Sequence, residues 1–131
     1  MALGDTTSPE LERIVTQIVD AAYQVYRALG PGLLESVYET CLFHELTQRG
    51  LKVERQVAVP IRYREVTLES GLVIDLLVEG QIIIELKAVE KWNPIFEAQL
   101  MSYLKLANKR IGFVINFTVP VFKEGIKRFI N

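Results

Sequence analysis

The sequence predicts an α/β fold, because segments of helical and of strand periodicity alternate along its 131 residues. Three observations carry this. Apolar residues recur at helical spacing from Leu11 to Leu29, and a second helix follows a Gly-Pro-Gly break. From Leu51 the period changes to two, and two β-prone runs flank Gly80 in the manner of a hairpin. A third helix start at Asn93-Pro94 then separates that hairpin from a last apolar run, Ile111 to Phe117.

Residues 1 to 7 read as a frayed lead. Ser8-Pro9 supplies a helix cap and a proline at the first helical position, and Glu10 and Glu12 suit the positive end of the helix dipole. Leu11, Ile14, Val15, Ile18, Ala22, Val25 and Leu29 form its buried stripe. Gly30-Pro31-Gly32 stops it, and a second helix is expected from about Leu33 to Gln48. Glu35 lies in the first turn of this helix, on one face with Tyr38, Glu39 and Leu42. Taken alone, Glu35 reads as compensation of the helix dipole. From Leu51 to Tyr63 the alternation is that of a strand, and Pro60 places it at an edge or a bend. Glu65 to Ser70 reads as turn and strand entry. The third helix is expected to run from Asn93-Pro94 to about Ala107. Trp92 before it reads as an anchor or a stacking platform, with the anchor preferred. Residues 121 to 130 fit either a helix or a last strand. Without repeats, low-complexity tracts or linkers, residues 1–131 read as one domain.

The stretch with most chemistry runs from Asp75 to Lys87. With a turn around Glu79-Gly80, Leu76, Val78, Ile82, Ile84, Leu86 and Ala88 share one apolar face. Asp75, Glu79, Gln81, Glu85 and Lys87 share the other with Leu77 and Ile83, so the second face is expected to be covered as well. This parity requires a three-residue loop, Val78-Glu79-Gly80 or Glu79-Gly80-Gln81, since a slip of one residue turns a strand over. Asp75 then stands opposite or diagonal to Glu85, with Cβ atoms roughly 4.5–8 Å apart. Two carboxylates at that spacing can share a divalent metal, with Lys87 next on the same side. A solvated ladder of charges is the competing reading. Set against it is the neighbouring triple isoleucine, where unpaired charge is costly and marks a site.

Composition bounds the function. The single cysteine, Cys41, excludes an internal disulfide and a cysteine-based zinc site and points to a reducing compartment, here taken as the cytoplasm. The only histidine, His44, has no partners for zinc. No apolar run approaches the ~18 residues of a membrane span, so no membrane partner is expected. Fifteen basic and sixteen acidic residues argue against a simple nucleic-acid binder. Two divalent ions at the acids would nonetheless change the net charge from −1 to about +3 at that spot.

Asp75, a spacer and Glu85-Leu86-Lys87 resemble the signature of the PD-(D/E)XK nuclease superfamily. Gly32-Leu33-Leu34-Glu35-Ser36-Val37-Tyr38 is similar to the motif that names its GxxExxY family, and Glu97-Ala98-Gln99-Leu100-Met101-Ser102-Tyr103-Leu104 resembles the glutamine-bearing helix of that family. Ile115-Asn116-Phe117 with Val119-Pro120 resembles the family's end, and the segments come in the family's order over nearly the whole chain after about residue 10. The resemblance implies a restriction-endonuclease-like fold, a mixed β-sheet core flanked by helices in the order αββ(β)αβ.

It also implies a metal-dependent nuclease acting on DNA more readily than on RNA. Asp75, Glu85 and the backbone carbonyl of Leu86 would ligate Mg²⁺, with Mn²⁺ as a substitute. Lys87 would orient water or stabilise developing charge. Glu35 would be the helix-borne acid, and Gln99, stacked on Tyr103 four residues on, would hold a water or a phosphate; Tyr38 and Tyr103 would line the site. So small a nuclease contacts few base pairs alone, which points to a homodimer or a larger complex. One departure stands out: two residues before the aspartate, where related sequences tend to carry a basic residue, this chain has Val73. That departure and the neutral charge leave a second reading open, a catalytically idle nuclease fold with a binding or regulatory role.

Overall fold

The structure, a computed structural model, describes residues 8–131; the expected frayed lead lies outside the described residues. Helix α1 spans Pro9–Leu29, and Ser8 caps it by accepting the Leu11 amide at 3.1 Å. Gly30, at φ 71°, ends it in the left-handed region that glycine tolerates. Helix α2 spans Glu35–Gln48, beginning two residues later than the expected Leu33. The reason is local: Leu34 is extended, and the Leu33 amide is held by the Tyr38 hydroxyl at 3.1 Å.

Strands β1 (Val53–Tyr63), β2 (Val66–Val78) and β3 (Ile82–Lys87) follow, then α3 (Ile95–Ala107), β4 (Ile111–Asn116) and β5 (Ile126–Ile130). The sheet order is β1-β2-β3-β4-β5. All neighbours are antiparallel except β3 and β4, which are parallel and joined over the sheet by α3. Pro60 lies on the outer strand β1, as expected. One expectation needs correcting and one open alternative is resolved. Most of Glu65 to Ser70 is strand rather than turn, because β2 starts at Val66 and pairs back on β1 through Tyr63↔Val66 and Ile61↔Leu68. Residues 121–130 hold both alternatives: a single 3-10 turn, Phe122–Glu124, leads into β5. Gly125 permits this reversal, since a Cβ there would collide with the Asn116 carbonyl oxygen. Its own carbonyl accepts the Asn116 amide at 2.7 Å.

Two apolar layers enclose the sheet. Leu76, Val78, Ile82, Ile84 and Leu86 pack under α1 and α2, with Ala88 against the same cluster, which is the face the hairpin parity assigns to them. Leu77, Ile83 and Val114 meet Leu100 and Leu104 of α3 on the other side. The hairpin loop is Glu79-Gly80-Gln81, one of the two three-residue forms, with Val78 paired to Ile82. Each fully buried Ile or Leu contributes ~1.5–3 kcal/mol of burial, so the central strands are the most strongly held part of the molecule.

Tyr38 fastens α2 to this core. Its ring stacks on Phe117 with centroids 4.4 Å apart, while its hydroxyl donates to the Gly30 carbonyl at 2.6 Å and accepts from Leu33. Tyr38→Phe keeps the ring and removes both bonds. It is expected to cost about 1–2 kcal/mol in a urea-unfolding measurement.

Candidate functional site

The paired register of β2 and β3 ends at Leu76↔Ile84, and beyond it side-chain oxygens take over from backbone carbonyls. The Asp75 amide donates to Glu85 Oε1 at 3.1 Å, and the Leu86 amide donates to Asp75 Oδ2 at 2.8 Å. The two strands thus part where the acids stand, and each acid is anchored by the backbone of the opposite strand. Leu86 contributes that amide while its side chain is wholly buried.

A slip of face on each of two paired strands, without any shift of their register, shapes the same point. In β1, Val53 belongs to the α1/α2 layer and Val57 to the α3 layer; in β2, Ile74 packs toward α3 and Leu76 toward α1 and α2. A regular strand keeps residues two apart on one face. The alternation therefore slips in both strands, at Asp75 and at Gln56, which stands opposite it between the pairs Arg55↔Leu76 and Val57↔Ile74. Gln56 has φ 50°, a conformation that a non-glycine residue holds only when its surroundings impose it. Such a slip re-aims side chains much as a β-bulge does.

Gln56 is the residue that sequence reasoning missed. Its amide donates to Glu39 Oε1 at 2.7 Å and reaches Asp75 Oδ1 at 3.4 Å. Glu39, only 8% exposed, is held from the other side by Arg55 at 3.1 Å. A chain of polar contacts thus runs from Arg55 through Glu39 and Gln56 to Asp75. Read alone, Gln56 is an ordinary polar residue of an alternating strand; only the pairing of β1 with β2 brings it to the acid.

Electrostatics show what the acids lack. Glu85 is 6% exposed, and burial, then the charge of Asp75, push its carboxyl up to about 8. Burial likewise raises Asp75, although the Leu86 amide opposes this. Glu35, on the rim at the start of α2, is raised by partial desolvation and by Asp75. Lys87 pulls all three carboxyls the other way, which places its ammonium within their field. It forms no ion pair among the described residues and sits over the Phe96 ring, 4.5 Å from the centroid. From α3, the Gln99 amide donates to the Tyr103 hydroxyl at 3.2 Å, and Tyr103 is raised by desolvation and then by Glu85 and Asp75. Trp92 is an anchor: its indole N–H donates to Glu97 and its ring meets Phe96 edge-on.

The structure therefore gathers Asp75, Glu85, Lys87, Glu35 and Tyr103 into one electrostatic neighbourhood, with Gln99 attached through Tyr103. Tyr38 acts at a distance, by holding the turn that delivers Glu35. Among the described residues no three His, Cys, Asp or Glu side chains form a ready cation cage. The donor chemistry still suits a divalent metal: buried Glu85 and half-buried Asp75 are each held by the backbone of the opposite strand, and hard carboxylate oxygens so placed are what such a cation takes. Among the described residues no helix is long and apolar enough to cross a membrane.

A family model described as the PD-(D/E)XK nuclease superfamily matches residues 12–129. The chain belongs to that superfamily, and its mixed five-stranded sheet between helices is the restriction-endonuclease-like fold. Nucleases of the superfamily generally use divalent metals. No curated protein and no solved structure matched the chain.

Proposed function

We propose that this protein, as a member of the GxxExxY group of its superfamily, is a Mg²⁺-dependent nuclease that hydrolyses phosphodiester bonds of DNA in preference to RNA, alone or in a larger assembly. The observation that carries the reading is the facing pair of carboxyls, half-buried Asp75 and buried Glu85, with Lys87 on the same strand end.

Asp75, Glu85 and the Leu86 carbonyl would hold Mg²⁺ or, in its place, Mn²⁺. The bound ion supplies Lewis acidity toward a phosphate oxygen and lowers the pKa of a water. The chain's own groups do the rest. Lys87 leaves the Phe96 ring for the strand edge, where its ammonium orients the attacking water or balances the charge gathering on the phosphate oxygens. Glu35, with its carboxyl raised, takes a proton from water on the α2 side. Gln99 fixes Tyr103, whose hydroxyl oxygen accepts from the amide and keeps its own proton for donation into the site. Gln56 and Glu39 hold Asp75 from behind. The lone cysteine supports a reducing, cytoplasmic setting.

The test is cleavage of end-labelled single-stranded DNA, duplex DNA, branched DNA and RNA in Mg²⁺, Mn²⁺ or EDTA, beside calorimetric titration of Mn²⁺ into wild type and Asp75→Asn. Cleavage that EDTA abolishes, with Mn²⁺ binding lost in the variant, is expected. If wild type binds no Mn²⁺ and cuts nothing, the idle-module reading replaces this one.

A further inference from the structure

Both carboxylate oxygens of Glu39 are taken up within the protein. Arg55 donates to Oε2 from Nε at 3.3 Å and from Nη2 at 3.1 Å, and the Gln56 amide donates to Oε1 at 2.7 Å. Arg55 is itself fixed on α2, donating to the Thr40 hydroxyl at 3.0 Å and lying over the Phe43 ring, 5.2 Å from its centroid. Glu39 is thus an acid beside the site that is committed to neighbouring donors, and what it holds in place is Gln56.

The Gln56 amide has a carboxylate on two sides, Glu39 Oε1 and, at 3.4 Å, Asp75 Oδ1. Only its nitrogen end can face both, and its two N–H groups match the two acceptors. The Leu86 amide reaches the other Asp75 oxygen, Oδ2, at 2.8 Å. The last torsion of an aspartate is otherwise broad and soft. Here a donor from β1 on one oxygen and a donor from β3 on the other keep the carboxylate from turning, while each oxygen retains a further lone pair. The backbone bends to allow this, since Gln56 sits at φ 50°. Glycine would hold that φ without strain but has no side chain. What position 56 adds to the site is therefore its amide.

How firmly a carboxylate is held decides which cation it suits. Mg²⁺ is small and takes near-ideal octahedral positions, whereas Ca²⁺ accepts more oxygens in looser arrangements and often takes both oxygens of one carboxylate. A fixed Asp75 favours the first ion; an Asp75 free to swing favours the second.

We propose, on the metal-dependent reading above, that Gln56 sets the preference of this site for Mg²⁺ over Ca²⁺ by locking the Asp75 carboxylate to Glu39 of α2. Gln56 is a positioning residue: it acts through Asp75.

The test is calorimetric titration of Mn²⁺ into the full chain, with Mg²⁺ and Ca²⁺ as competitors, for wild type, Gln56→Met and Gln56→Gly. Methionine keeps the length of the side chain without its donors, and glycine keeps the backbone conformation without the amide. Both variants are expected to bind Mg²⁺ about 10- to 100-fold more weakly, the range for losing a partner of a metal ligand. Ca²⁺ is expected to change far less, so that the ratio of Mg²⁺ to Ca²⁺ affinity falls at least about tenfold. Variants that keep the wild-type ratio, whether both affinities fall together or neither moves, overturn the proposal and leave the nuclease reading standing. A glycine variant that matches wild type while the methionine variant does not also overturns it, since backbone conformation alone would then explain the effect. A wild type that binds none of the three cations overturns the metal-dependent reading itself, and this one with it, before any variant is compared.

Discussion

Lys87→Met is expected to lower metal-dependent cleavage by about 10²- to 10³-fold and to leave the melting temperature within a few degrees of wild type. The asymmetry follows from where the lysine sits. Its ammonium forms no ion pair with Asp75, Glu85 or Glu35 and rests on the Phe96 ring, an interaction of about 0.5–2 kcal/mol. Its stem can be replaced by methionine against the same ring, so the fold loses little. The field it exerts is another matter, since the same ammonium lowers all three carboxyls. Cleavage rates at saturating Mg²⁺ for wild type, Lys87→Met and the exposed control Lys91→Met make the comparison. Equal turnover in all three would remove Lys87 from the chemistry.

Glu85→Gln is expected to abolish Mn²⁺ binding and yet to stabilise the metal-free protein above pH 8. A carboxyl whose folded pKa is raised from 4.5 to about 8 favours its protonated form in the native state. Its contribution to stability is complete below about pH 4.5 and is lost as pH rises to about 8, where the native protein must hold two adjacent, partly desolvated charges. Glutamine keeps the shape, accepts the Asp75 amide, and offers its own N–H to the Asp75 carboxylate. The gain is a few kcal/mol, or roughly 5–10 °C in melting temperature for a domain of this size. In EDTA, the difference between variant and wild type should be near zero at pH 4.5 and grow through pH 8. A difference that stays flat would mean that the two carboxyls do not oppose each other in the native state. Wild type with Mn²⁺ should recover the same stability at high pH, because the cation relieves the repulsion that the substitution removes.

How far the sequence reveals this molecule depends on how local each signal is. The two faces of the Asp75–Lys87 hairpin follow from alternation alone, and Leu76, Val78, Ile82, Ile84 and Leu86 lie together in one core as that alternation requires. The cap at Ser8 is equally local; at α3 the cap position falls on Pro94 instead of the expected Asn93 and the helix begins at Ile95, although the Asn93 side chain still accepts the Ile95 amide at 3.0 Å. The site is harder. Asp75, Glu85 and Lys87 stand out because charge beside triple isoleucine is costly, whereas Glu35 and Gln99 are singled out only by family motifs. Gln56 and Glu39 leave no local mark. Their place beside Asp75 depends on the register of β1 against β2 and on a left-handed backbone at a residue that is not glycine. The length of β2 is hidden for a related reason, since Val66 to Ser70 gain strand structure from a partner strand rather than from burial.

The slip of face at Gln56 and Asp75 divides the β1–β2 ribbon into two lengths that answer to different layers of the molecule. On one side of that pair, Leu76 and Val78 are locked to Ile84 and Ile82 inside the core and cannot slide. On the other, Leu72 and Ile74 are buried in the α3 layer before the ribbon runs on past the end of β3. Asp75 therefore stands at the junction of two anchored lengths, and Gln56 and Glu39 tie that junction to α2. The spacing of the two acids is set by both helical layers at once, so a shift in either one would be felt there.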